Sequence, residues 1–130
     1  MNRTIILIGI FLGGLAIILG AFGAHGLEKI VDARSVDTFE VGVRYQMYHA
    51  LFLLFLGGFP NLSDPFKKRI LVLICVGLIL FSGSIYLLSL KELISPNLGR
   101  IGFLTPIGGI FLISGWGYAG YVLLAKKGLN

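Results

Sequence analysis

Four long apolar stretches separated by short polar connectors dominate the pattern of the chain. The first, Thr4 to Ala24, carries no charge and exceeds the roughly 20 residues that a spanning helix needs. Arg3 before it and the small residues Ala21, Gly23 and Ala24 after it also describe a secretory signal peptide. Its apolar core is longer than the roughly 7–15 residues of a signal h-region, so it reads as a retained helix. The second stretch, 38–59, opens at Asp37-Thr38-Phe39-Glu40, the spacing of a capping box with Asp37 as N-cap and Glu40 at N3. The third, 70–90, is again without charge, and the fourth, 101–125, is interrupted near its start by Thr105-Pro106. Thr105 as cap and Pro106 as first helical residue is preferred to a proline kink.

The connectors agree with this division. Gly26 follows His25 where a helix C′ glycine belongs. Between Glu28 and Glu40, acids and bases balance around Ile30 and Val31, which predicts a short amphipathic segment lying on the membrane. Gly57 to Pro65 is dense in breakers and predicts a turn between antiparallel helices, and Lys91 to Arg100 forms a further loop. The expected fold is therefore all-α: a single membrane domain over residues 1–130, an up-down-up-down bundle of four transmembrane helices.

Helical spacing then sorts the residues into faces. Gly9, Gly13, Ala16 and Gly20 form a small-residue stripe that permits close backbone approach in lipid. Gly77 and Ser84 share a face of the third helix suited to packing on the first, while Gly108, Gly115 and Ala119 align with Thr105 on the fourth. On the second, Gly42, Gln46, His49 and Leu53 share a face, with Tyr45 one turn before His49 and Arg44 one turn before Tyr48. Polar groups at membrane depth are costly unless they face protein or water. Arg44, Tyr45, Gln46, Tyr48 and His49, together with His25 at the exit of the first helix, are therefore the candidate functional cluster. His49 either bonds a neighbouring helix or serves as a titrating or ligand-binding group. Arg44 either snorkels to the headgroups or pairs with Glu40.

Composition strengthens the membrane reading. The 130 residues are 56% hydrophobic and only 13% charged, against roughly a quarter charged in soluble domains. The net charge of +5 is carried by basic residues beside apolar spans, not by a stripe interleaved with stacking aromatics, so nucleic acid is not an expected partner. Arg3, Lys67-Lys68-Arg69 and Lys126-Lys127 flank one side, whereas Lys29, Arg34, Arg44, Lys91 and Arg100 flank the other. The tighter clustering of the first set predicts cytoplasmic termini. A lone Cys75 inside an apolar run excludes an internal disulfide.

Several phrases together resemble a known family. Gly20-Ala21-Phe22-Gly23-Ala24-His25-Gly26-Leu27, Tyr45-Gln46-Met47-Tyr48-His49-Ala50-Leu51, Phe81-Ser82-Gly83-Ser84-Ile85-Tyr86, Thr105-Pro106-Ile107-Gly108-Gly109 and Gly115-Trp116 look like the signatures of the small membrane family labelled domain of unknown function 423. The similarity is to its bacterial inner-membrane branch, whose eukaryotic relatives are called transmembrane protein 256. It implies a four-helix protein of the bacterial cytoplasmic membrane and lends no enzymatic activity. His25, Gln46, His49, Ser82 and Thr105-Pro106 match special positions of the family without inherited catalytic roles.

The residues themselves point the same way. All six acids fall in loops or helix ends, and no nucleotide-binding or zinc-hydrolase motif is present. His25 and His49 are expected at different depths, which argues against a shared metal site, and no cofactor is called for. Ser82 or Ser84 with His49 lacks an orienting acid. Three readings remain: an accessory or interaction protein in a larger membrane assembly or homo-oligomer; a transport or proton-linked function centred on His49; and lipid or quinone binding in a groove lined by Tyr45, Tyr48 and Trp116.

Overall fold

The structure is a computed structural model that describes residues 1–125 and Leu129; the Lys126-Lys127 pair lies outside the described residues. The described residues are helical, without strands. Helix α1 spans Arg3–His25, α2 spans Ala33–Gly58 and α3 spans Asp64–Leu78. A π turn, Ile79–Gly83, carries α3 without a break into α4, Ser84–Ser89. The short α5, Lys91–Ile94, and a 3-10 segment, Pro96–Phe103, lead to α6, Leu104–Leu124.

Three helical stretches are long and apolar enough to cross a membrane: Arg3–Lys29, Asp64–Ser89 and Pro96–Leu124. Helix α2 is not among them although it has 26 residues. Length is not what it lacks. The polar run from Arg44 to His49 lowers its hydropathy.

The helices pair as α1 on α2 and as α3 on α6, and the small residues are where they touch. A Cβ on Gly9 would meet the Ala50 carbonyl at 3.0 Å, one on Gly20 the Val43 side chain at 3.4 Å, and one on Gly23 the Phe39 ring at 3.0 Å. Gly13 lies over Ala50 with more room, 3.6 Å, and Ala16 is buried. In the second pair, Gly77 faces Leu112, Gly115 faces Ile74, and Gly108 presses on the backbone of Leu80 and Phe81 in the π turn. Gly77 thus packs on α6 rather than on the first helix, and Ser84 likewise bonds Thr105, which sits on α6. A common core of Ile5, Leu53, Leu56, Ile70, Ile74, Leu78, Leu112 and Val122 joins the two pairs.

Several helix ends differ from the sequence expectation. Helix α2 begins at Ala33, not near Thr38, because Asp32 is the N-cap and accepts the Ser35 amide at 2.8 Å. Asp37 and Glu40 fall inside the helix, and the amphipathic segment shrinks to a 3-10 turn, Leu27–Lys29, whose Leu27 is buried. Gly26 has φ −72°, so the chain leaves α1 without the left-handed turn that a C′ glycine usually supplies. Gly57 and Gly58 are the last residues of α2 rather than part of the turn, and at Gly57 α1 crosses so close that a Cβ would meet Ile6 at 2.6 Å. The turn itself uses Asn61 at φ 65°, a conformation that asparagine tolerates. Thr105 is not a cap. Phe103 and Leu104 are already helical in backbone angles, the hydroxyl of Thr105 turns to Ser84, and Pro106 falls in the first turn of α6, where no intrahelical donor is lost.

Candidate functional site

The face Gly42, Gln46, His49, Leu53 is buried, but its polar members serve two separate clusters. Gln46 looks inward. Its amide nitrogen donates to the Leu12 carbonyl of α1 at 2.9 Å, and its amide oxygen accepts the Tyr86 hydroxyl of α4 at 2.6 Å. One side chain therefore ties three helices together, and a cavity of about 220 Å³ beside it is lined by Leu12, Leu78, Ser82 and Tyr86. Tyr86 packs against Gly42, where a Cβ would come within 2.7 Å of the ring.

The π turn explains the serines. A π turn disturbs the regular hydrogen-bond ladder of a helix. Ser82 donates to the Gly42 carbonyl across the interface at 2.9 Å, while Ser84 donates back to the Phe81 carbonyl at 2.9 Å. With the Ser84 proton so engaged, Thr105 is the donor in the 2.6 Å contact between the two hydroxyls. All three hydroxyls are engaged in these bonds.

His49 looks toward α6. Its Nδ1 lies 2.7 Å from the Tyr45 carbonyl, and its Nε2 lies 3.0 Å from the indole Nε1 of Trp116. A carbonyl only accepts and an indole N–H only donates, so the ring is the neutral Nδ1–H tautomer. A second proton at Nε2 would face the indole N–H and break that bond. Tyr45, His49, Phe81, Gly109, Leu112, Ile113 and Trp116 line a groove of about 300 Å³, with Tyr45 packed on Phe81 at 4.8 Å and Trp116 on Phe52 at 4.3 Å.

The other candidates stand apart. Tyr48 is exposed and touches the groove only through the edge of Tyr45, at 5.7 Å. Arg44 is exposed and lies 3.7 Å from Glu40, the pairing its i,i+4 spacing suggests. His25 is exposed at the far end of α1. Gly23 of α1 touches Phe39, and His49 lies ten residues beyond Phe39, about 15 Å along α2 at 1.5 Å per residue. Among the described residues no group of three or more His, Cys, Asp or Glu side chains could hold a metal.

Sequence reasoning missed Lys67. Read only as part of the basic cluster that flanks the third apolar stretch, it is buried at 1% exposure and points back to the end of α2. Its ammonium donates to the carbonyls of Gly57 at 3.2 Å and Phe59 at 2.8 Å. The end of a helix presents unpaired carbonyls and partial negative charge, which a lysine satisfies. Asn2 completes the junction: its backbone N–H donates to Gly57 at 2.8 Å, its side-chain oxygen accepts the Ile5 amide, and its side-chain nitrogen donates to Asp64 at 3.1 Å. The only hint in the sequence is a lysine one turn after the Ser63 cap, which is a weak signal.

A family model described as protein of unknown function (DUF423) matches residues 19–109. A UPF0382 membrane protein of Staphylococcus saprophyticus is 37% identical, the match covering 88% of this chain and 91% of the relative. YwdK of Bacillus subtilis, also called a UPF0382 membrane protein, is 38% identical over 88% of this chain and 90% of its own. YgdD of Escherichia coli K12, called a UPF0382 inner membrane protein, is 32% identical over 99% and 97%. No solved structure matches.

Proposed function

The chain belongs to the DUF423 family, whose relatives in Gram-positive and Gram-negative bacteria are membrane proteins, and on that premise we propose that it is a non-catalytic accessory protein that docks a partner helix on the outer face of α6. The observation that carries this reading is the division of the glycines. Gly9, Gly13, Gly20 and Gly23 of α1 and those at 77, 108 and 115 are consumed by contacts within the bundle, whereas nothing lies within 4 Å of a Cβ on Gly117 or Gly120 of α6. Together with Gly109 and Ile113 they form one helical face beside Trp116, and a small-residue face open to lipid is what close helix docking requires. The polar groups of the bundle favour the same reading. Gln46, Ser82, Ser84, Tyr86 and His49 are all engaged by helix-to-helix or backbone bonds, which weighs against a proton path through His49.

The protein is a multi-pass membrane protein of the bacterial cytoplasmic membrane, and we take α2 as its fourth crossing. Asn2 meets Gly57 at one end of the α1–α2 pair and Gly23 meets Phe39 at the other, so α2 runs antiparallel to α1 over the same depth. Where α1 crosses, α2 crosses with it. The end holding Asn2, the α2–α3 turn and Leu129, which bridges to Leu62, is taken as cytoplasmic. Cysteines placed singly at Pro60 and Asn97 should be labelled from opposite sides of sealed vesicles.

Native mass spectrometry of protein extracted gently from its own membranes tests the docking reading. A stoichiometric oligomer or partner is expected, and it should be lost in Gly117→Leu/Gly120→Leu without any fall in the unfolding midpoint, since neither glycine has an internal neighbour. Association that persists in that variant refutes the assignment of the face.

A further inference from the structure

A second feature lies at the opposite flank of the α3–α6 pair. With Lys67 turned inward, Lys68 and Arg69 are the exposed cations of the cluster. Arg69 is held in place: its guanidinium donates to the Tyr118 hydroxyl at 3.1 Å and lies 5.5 Å from the centre of the Phe66 ring. Phe66 and Tyr118 stack with ring centres 6.4 Å apart, so the cation rests on an aromatic pair built from both helices. Immediately below, Val72 and Leu73 of α3 and Tyr118 of α6 wall an open groove of about 570 Å³ whose mouth is Lys68 and Arg69. Its volume falls within the roughly 300–1,000 Å³ of ligand clefts.

The chemistry of this groove is amphipathic along its length. Its mouth carries two positive charges in the second turn of α3. Asp64, the acid of that helix turn, is bonded to Asn2, and no acid lines the groove. Its walls are apolar and face the bilayer. Arg69 is the sixth residue of the Asp64–Ser89 span, so the mouth sits at headgroup level and the walls at acyl level. A guanidinium already fixed in place loses less freedom on binding an oxygen anion than a free one. We propose that this groove binds an anionic glycerophospholipid, with the phosphate on Lys68 and Arg69 and an acyl chain along Val72 and Leu73.

The test uses the full-length protein in a neutral detergent, titrated with short-chain phosphatidylglycerol or phosphatidylcholine and read by native mass spectrometry as lipids retained. Phosphatidylglycerol should be retained about 10- to 30-fold more tightly. Lys68→Gln/Arg69→Gln should bring that ratio close to one. Lys91→Gln/Arg100→Gln, which removes two basic residues from the other end of the molecule, should leave it unchanged. Val72→Trp fills the groove while keeping both charges and should lower retention of both lipids, which keeps the proposal testable if the charge variant fails to fold. Inorganic phosphate in millimolar excess should not displace the lipid if the acyl wall contributes. The proposal is overturned if the preference survives Lys68→Gln/Arg69→Gln, if both pairs of basic residues matter equally, or if inorganic phosphate alone competes.

Discussion

Gly108 offers the most decisive check on how the two helix pairs are joined. A Cβ at this position would fall onto the Phe81 amide nitrogen and lie 2.8 Å from the Leu80 carbonyl carbon, whereas ordinary contact begins near 3.4 Å. The clash is against main chain, which cannot swing aside as a side chain can. In Gly108→Ala the helices must part. That loosens the neighbouring contacts of Gly77 with Leu112 and Gly115 with Ile74. Overpacking of this kind costs about 1–3 kcal/mol, opposed by the roughly 1 kcal/mol that alanine gains over glycine in a helix. Gly117→Ala, in the same helix but in open space, receives only the gain. The propensity gain is common to both variants, so they should differ in unfolding free energy by the overpacking cost, about 1–3 kcal/mol. Reversible unfolding in mixed micelles titrated with a denaturing detergent measures that gap directly. Equal midpoints would refute the packing of Gly108 on the π turn.

Three further outcomes follow from other contacts. Lys67→Met should cost about 1.5–3 kcal/mol by the same unfolding assay, because the Phe59 carbonyl loses a charged donor while Gly57 keeps the Asn2 N–H. Lys68→Met should stay within about 0.5 kcal/mol, and equal effects would show that Lys67 does not cap α2. A double-mutant cycle of His49→Phe and Trp116→Phe should give a coupling of about 0.6 kcal/mol and no more than about 1.7; zero coupling would remove the bond that fixes the tautomer. At the start of α2, hydrogen bonds from Ser35, hydroxyl first and then amide, hold the Asp32 carboxyl below its ordinary 3.8. A depressed folded value means that its capping contribution is complete above the unfolded value and is lost as pH falls through the folded one. The Ser35 amide resonance should therefore shift only below the ordinary 3.8, and Asp32→Asn, which keeps a capping oxygen, should abolish that dependence.

How much of this was legible beforehand differs between the helix faces and their partners. The faces were legible because helical periodicity is local. Gly42, Gln46, His49 and Leu53 had to share a side whatever else the chain did, and the glycines of α1 had to form a stripe. Capping was less legible, because Asp32 and Asp37 offer the same chemistry five residues apart. The choice fell to Asp32, whose carboxylate meets the Ser35 amide.

The candidate cluster was legible as residue types but not as a site. Gln46 and His49 are neighbours on one helix, yet one bonds α1 and α4 while the other bonds α6. Only the arrangement of helices around α2 separates them. The same holds for Lys67, Lys68 and Arg69, three adjacent cations of which one caps a helix, one stays exposed and one rests on an aromatic pair from two helices. Composition and apolar run length determined by themselves that this chain enters a membrane as helices, since a bilayer core leaves few other ways to satisfy the backbone. The tertiary structure alone decided which glycines are buried, which cation turns inward and which tautomer His49 adopts, because each depends on groups brought close by packing between helices distant in sequence.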